Sequence, residues 1–241
     1  MATPMPTPNH IIIWLDQYIG LLGSNEQLKT GVSEQVDPEK PLPESPWDKD
    51  IKSLALLKAG IDQNFENIPK NLKVFSTQEE CLQCIGESMK NNKKIFFITS
   101  GTMGRAISQV IIEKYPSLKT IYVFCGKYEA QLDWVENCDD HDVVCLMENF
   151  PTNLLARLLR DVAGYFKTQG DEELNQNEQL AYSAISYFGW AKLLLERANN
   201  CDKKNLLDQL EEVERRIEST EKLIKKMNDD VDNEKSKESF K

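Results

Sequence analysis

Histidine is nearly missing from this sequence: His10 and His141 are its only two. That scarcity leaves little for histidine-based metal or acid–base sites, and the chain has no paired-histidine metal motif, G-x-x-x-x-G-K-[ST] loop or G-x-S-x-G elbow. Excess positive charge is lacking too. With 29 basic against 39 acidic residues, the formal net charge is −10, whereas nucleic-acid and anionic-membrane surfaces need clustered Lys and Arg. No apolar run approaches the roughly 18 residues that suggest a membrane span. Met1 to Pro8 (MATPMPTP) has neither the basic start nor the apolar core of a signal peptide. A cytoplasmic setting is therefore expected. Nothing signals secretion, so the six cysteines (Cys81, Cys84, Cys125, Cys138, Cys145 and Cys201) are read as reduced thiols rather than disulfide partners.

What is present is a packed core: 40% hydrophobic and 28% charged residues is ordinary globular composition. Residues 1–9, rich in Pro and Thr, are expected to be a disordered N-terminus. Ile11 to Leu15 (IIIWL) then reads as a buried strand closed by Asp16. Residues 17–30 suggest a loop and short helix, and 31–47 an irregular loop, since Pro38, Pro41, Pro43 and Pro46 disfavour regular pairing. Leu54, Leu57, Ile61 and Phe65 recur at helical spacing over 49–65.

From there strands and helices alternate. Leu72 to Phe75, Lys94 to Thr99, Leu118 to Cys125 and Val143 to Met147 are short apolar runs, and helices are expected near 77–90, 101–115 and 127–137. Ser76 with Glu79, or Thr77 with Glu80, fits a capping box at the first of these helices. Near-continuous apolar strands joined by helices predict a parallel sheet covered on both faces. Five such units fit a flavodoxin-like or receiver-like α/β domain over 10–150, with strand order 2-1-3-4-5.

Beyond 151 the strand signals stop. Leu154, Leu155, Leu158, Leu159, Val162 and Phe166 mark one helix ending near Gly170, and Leu180 to Ala198 a second whose small alanines permit close helix approach. Leu206, Leu210, Val213, Ile217, Thr220, Ile224 and Met227 follow a four–three spacing like a heptad seam. The region 151–228 is thus an α-helical hairpin or three-helix unit. Its last helix either folds back or forms a coiled coil with a partner. Residues 229–241, charged and poor in apolar groups, are expected to be a disordered tail.

One loop has the chemistry of a ligand site. Ser100-Gly101-Thr102-Met103-Gly104 lies between the third strand and its helix. Backbone N–H groups at a helix N-terminus attract anions, and in the expected strand order the loop sits at the switch point beside the first strand. Arg105 could add a charge-assisted contact, and Asp16 would face the same crevice and could hold Mg²⁺ or a ligand hydroxyl. The bland readings are a tight turn with a Ser or Thr cap, and an Asp bonding its own turn. Cys81-x-x-Cys84 lies inside a helix rather than at its start, so packing is the reading there, not redox activity. No second ligand pair offers a zinc site. His141, among acids, reads as a surface residue.

Ile11 to Gly20 (IIIWLDQYIG), Ile95 to Gly104 (IFFITSGTMG) and Ile121 to Gly126 (IYVFCG) together resemble an uncharacterised animal module that accompanies ADP-ribosyltransferase or tetratricopeptide-repeat regions in larger proteins. The resemblance covers 10–227 with 31–47 poorly matched, and it implies context rather than an activity. The order of elements is also similar to a response-regulator receiver. Asp16 matches an acid that gathers Mg²⁺ there, but Thr99 and Ser100 stand where the phosphorylated Asp is expected. Phe124-Cys125 replaces a small hydroxyl residue and Glu148 replaces a lysine, so a phosphorelay is not implied. Ala181 to Ala198 (AYSAISYFGWAKLLLERA) gives the helical part a likeness to tetratricopeptide-type or microtubule-interacting-and-transport-type units, which bind peptides or helices in grooves.

Three functional expectations follow. The first is a non-catalytic regulatory or protein-interaction scaffold module, engaging a protein partner through its helices, with no cofactor, metal or catalytic residue. The second is binding, or weak hydrolysis, of a nucleotide or phosphorylated metabolite at Ser100 to Gly104. The third is a shortened relative of a longer enzyme. No ADP-ribosyltransferase motif is found, so no transferase activity is carried over.

Overall fold

The computed structural model describes residues 6–17, 56–69 and 71–238, excluding the side chains of 231–238. The expected disordered N-terminus over 1–5, the loop, short helix and Pro-rich loop over 18–47, the helix start before 56 and the last three residues of the expected tail lie outside the described residues. Two compact units emerge: Asn9–Leu155, and Ala156–Lys241 together with Met1–Pro8.

The first unit contains β1 (His10–Leu15), α1 (helical over 56–64), β2 (Leu72–Phe75), α2 (Gln78–Lys90) and β3 (Lys94–Ser100). After these come α3 (Gly101–Lys114), β4 (Thr120–Phe124), α4 (Leu132–Asp139) and β5 (Val144–Glu148). The five strands form one sheet in the order β2-β1-β3-β4-β5, with every pairing parallel. This is a flavodoxin-like α/β fold, as the apolar runs predicted.

Each strand's alternate residues point to opposite sheet faces. One face carries Ile11, Ile13, Leu15, Phe97, Ile121 and Val123. These pack with Cys81, Cys84 and Ile85 of α2, Ile107 and Ile111 of α3, and Trp134 and Cys138 of α4. The other face carries Ile12, Trp14, Phe96, Ile98 and Tyr122, all buried. Burying both faces of β1 explains why its sequence shows no polar alternation: all six residues are enclosed.

Local chemistry departs from expectation at two helix starts. Thr77 does precede α2, but its Oγ1 donates to Glu80 Oε2 at 2.9 Å and makes no cap to the backbone. The two side chains satisfy each other instead of the free N–H groups. α4 begins at Leu132 rather than near 127, because Tyr128–Gln131 forms a turn closed by Gln131 N donating to the Tyr128 carbonyl at 2.8 Å.

His10 opens β1 in a buried position, 2% exposed, edge-on to Phe96. Burial, and secondarily the nearby Lys93 charge, hold its pKa down from 6.5 to about 4. In the folded chain the ring therefore stays neutral while the unfolded chain takes up a proton below its ordinary pKa. Stability contributed by neutral His10 is complete above pH 6.5 and is lost as pH falls toward 4. The loss amounts to ~3 kcal/mol over that window. Urea unfolding at several pH values should show that slope in the parent chain and lack it in His10→Phe. Equal slopes in both would show that His10 is protonated in the fold.

The second unit holds most of α5 (Pro151–Gln176), then a short 3₁₀ turn (Glu178–Leu180), α6 (Ala181–Asp202) and α7 (Leu207–Glu238). α5 and α6 run antiparallel. Arg160 pairs with Asp202 at one end, and Phe166 packs on Tyr187 and Trp190 further along. Gly170 lets the helices close up, since a Cβ there would lie 2.6 Å from Phe188 Cε1. Lys203, in the left-handed region at φ 52°, ends α6.

α7 folds back along α6. Lys192 pairs with Glu214 at 2.9 Å, and the Tyr182 hydroxyl meets Asn228 Oδ1 at 3.1 Å. The heptad-like seam is thus used within the chain. α7 runs on to Glu238, past the 227 to which the apolar spacing carried it and into the expected disordered tail. Lack of apolar residues removes a packing force but does not forbid helix, since Glu and Lys are good helix formers. No helix among the described residues is long and apolar enough to cross a membrane.

Candidate functional site

Parallel register sets the geometry of the sheet's C-terminal edge. Leu15 lies beside Thr99 and Thr99 beside Val123, so the chain leaves β1 at Asp16 and β3 at Ser100 on one rim. Asp16 is 1% exposed, and its backbone N–H donates to the Phe75 carbonyl at 3.0 Å. Cys125 N–H donates to the Glu148 carbonyl at 3.1 Å, closing the rim on the β4–β5 side. The sequence-derived candidates Asp16, Ser100, Gly101, Thr102, Gly104 and Arg105 therefore share one edge.

Ser100 caps α3, with its Oγ accepting from Met103 N–H at 3.5 Å. Gly101 is buried, and the cover is Gln131: a Cβ on Gly101 would lie 2.7 Å from Gln131 Cδ. Gln131 Oε1 in turn accepts from Trp134 Nε1 at 2.9 Å. Gly104 fits beneath the indole, where a Cβ would meet Thr99 Cγ2 and Trp134 Cη2, each at 2.9 Å. Thr102 is exposed.

Arg105 reaches across to α4, donating to the Asp133 carboxylate and the Ala130 carbonyl. Hydrogen bonding to Arg105 lowers the Asp133 pKa, and the same bond raises that of Arg105. The guanidinium charge is thus balanced within the loop pair 100–105 and 130–134. A phosphate entering here would compete with Asp133 for Arg105 and with the Gln131 amide for the space over Gly101.

Sequence reasoning missed Gln131, Asp133 and Trp134, which lie some thirty residues from the loop they cover. The one available signal is the aromatic-and-amide cluster after β4, Tyr128 to Trp134, where the sequence pattern predicts plain helix.

The cysteines behave mainly as core. Cys81 and Cys84 are buried in α2, and burial, with the neighbouring Cys84 second, pushes Cys81 up to about 12. His141 is exposed, with Nδ1 2.8 Å from the Asn137 carbonyl. Among the described residues no group of three His, Cys, Asp or Glu could hold a metal ion.

The helical unit has a site of its own. Between α5 and α7, above Leu195 of α6, a groove of about 310 Å³ is lined by Ala163, Gly164 and Val213, with Lys167, Asp208 and Glu212 among its rim. Small side chains on α5 create the space: a Cβ on Gly164 would meet nothing within 4 Å. Lys167 is held by Asp171 at 3.0 Å and Glu212 at 3.6 Å, whereas Asp208 is exposed at the start of α7. Only the pairing of Ala163 with Gly164 inside a Leu-rich helix hinted at this gap. Set against family models, curated proteins and solved structures, the chain finds no match.

Proposed function

We propose that the chain is a non-catalytic protein-interaction module whose helical unit receives a basic, apolar-anchored segment of another protein. The observation that supports this is the groove between α5 and α7, apolar at its base and wide enough for one large side chain. Charge selects the partner. The rim's cation, Lys167, is engaged by two carboxylates, Asp208 stands exposed, and the whole chain carries −10. A Leu, Ile or Phe flanked by Lys or Arg suits that combination. The reading places the chain in the cytoplasm, with the α/β unit as platform, and fits the multidomain context that the family resemblance implies.

A displayed peptide library panned on the full chain tests it. Enriched peptides should be basic with one large apolar residue. Gly164→Leu should weaken them by about tenfold or more, as filling an anchor pocket does, and Asp208→Lys should weaken them further. Binders indifferent to both substitutions, or no binders, would overturn the groove as a docking site.

A second reading has its own support in the Ser100–Arg105 loop, which opens α3 beside buried Asp16 at the sheet's C-terminal edge. There the chain would bind a nucleotide or phosphorylated metabolite, or hydrolyse it weakly. Thermal-shift screening with NAD, ATP, cyclic nucleotides and ADP-ribose decides it. Stabilisation that vanishes in Gly101→Val favours this reading, and a flat screen removes it.

A further inference from the structure

The two edges of the sheet differ. β2 closes it on one side with four residues, and Lys73 stands exposed among them. β5 closes it on the other, where Val143 to Met147 (VVCLM) holds no charge, proline or glycine. Charged side chains and proline are the usual means of keeping a sheet edge from pairing with a further strand. β5 has neither over this run, and its Val144 is 48% exposed.

The hydrogen bonds of β5 show which groups are left over. Val144 N–H donates to the Lys119 carbonyl at 2.9 Å, and the Glu148 carbonyl accepts from Cys125 N–H at 3.1 Å. Successive residues of a strand turn their backbone groups to opposite sides. Val144, Leu146 and Glu148 therefore serve β4, while Cys145 and Met147 turn theirs outward. Among the described residues nothing bonds the backbone N–H or carbonyl of those two. The open stretch has definite ends. Val143 N–H is taken by the Cys138 carbonyl at 2.9 Å, and Asn149 N–H by the Tyr128 hydroxyl at 3.1 Å.

We propose that β5 is a self-association edge whose occupant is β5 of a second copy of this chain, running antiparallel across a two-fold axis. The donors select the register. With Cys145 opposite Met147 of the second copy, that pair exchanges both backbone bonds, and the symmetry repeats it. Every outward N–H and carbonyl of both strands is then used. Cys145 opposite its own copy would bring Met147 to Val143, and Met147 opposite its own copy would bring Cys145 to Asn149. Each of those partners has its N–H engaged already.

The side chains favour a second copy in the same register. Leu146 meets Leu146 on the axis, and Val144 faces Glu148, so no like charges oppose one another along the strands. The acidic turn Asp139–Asp142 comes toward the second copy's Phe150 to Asn153 (FPTN), which carries no charge. A parallel arrangement would instead set one acidic turn beside the other.

Sedimentation of the full chain from ~1 μM to ~1 mM, the range that covers weak association, tests the proposal. A monomer should give way to a dimer as concentration rises. Val144→Glu, at an exposed position, sets like charges opposite Glu148 twice across the axis and should weaken the dimer by about tenfold. Val144→Lys sets opposite charges there and should not weaken it. Gly164→Leu, which fills the groove between α5 and α7, should leave it unchanged. In the dimer, amide exchange at Cys145 and Met147 should slow several-fold, with Leu146, bonded within the sheet, changing least. A chain that stays monomeric at ~1 mM overturns the proposal. So does equal weakening by both charges at position 144, or a dimer lost in Gly164→Leu. Slowing of those amides by an added peptide, without dimerisation, would give the edge to a foreign strand and overturn it too.

Discussion

Arg160→Ala is expected to destabilise the helical unit by about 3–5 kcal/mol, the usual result of stranding one member of a buried ion pair. Arg160 Nη1 lies 2.6 Å from Asp202 Oδ2, and the two side chains are only 13% and 6% exposed. Removing the guanidinium leaves the Asp202 carboxylate enclosed. Among the described residues, the Lys204 ammonium at 3.9 Å, on a largely exposed side chain, and the Lys204 N–H at 3.3 Å remain near it. Truncating the pair together to Met and Leu should recover most of the loss, since neither charge is then left buried. The exposed pairs Lys58–Asp62 and Arg157–Asp161 provide the contrast: breaking either should change stability by under ~1 kcal/mol. Urea midpoints of the full chain read all four variants. A loss below ~1 kcal/mol for Arg160→Ala would mean that water reaches Asp202 and that the pair does not clamp α5 to α6.

Arg160 also shows where sequence reading stops. It sits in α5 among Leu158, Leu159 and Val162, and nothing local says whether it faces water. Its partner is 42 residues away. The strands were legible for the opposite reason. Ile11 to Leu15 and Ile95 to Ile98 are apolar throughout because both sheet faces are covered, so burial is written locally. Short connections then limited the strand order, and parallelism alone brought Asp16 and Ser100 to one rim. α7 lies between these cases. Its seam from Leu206 to Met227 gave the buried face but not the partner, because the same spacing suits an internal helix or a second chain. Its continuation to Glu238 was hidden because helix formation there rests on backbone preference rather than on apolar contact. The groove was least legible of all, since it arises from what Gly164 lacks.

At the sheet edge the same limit applies to Trp134, and the remaining prediction follows from its position. Trp134→Ala should cost about 3–5 kcal/mol, the range for deleting a large buried aromatic. The indole is 5% exposed, roofs Gly104 and Thr99, and holds Gln131 over Gly101 through its Nε1. Gly104→Ala attacks the same contact from below. Its new methyl meets Thr99 Cγ2 and the indole at 2.9 Å, and an enclosed ring cannot turn away as a chain end can. Overpacking of this kind costs about 1–3 kcal/mol. Gly101→Ala meets only the amide end of Gln131, a flexible group, so it should cost less than Gly104→Ala. Because Trp134→Ala opens room for the methyl, the two substitutions should not add: Gly104→Ala should be milder by about 1 kcal/mol or more in the Trp134→Ala background. Strict additivity in that double-mutant cycle would show that Gly104 and Trp134 do not meet. The Gln131 cover over the Ser100–Arg105 loop would then lack the support derived for it.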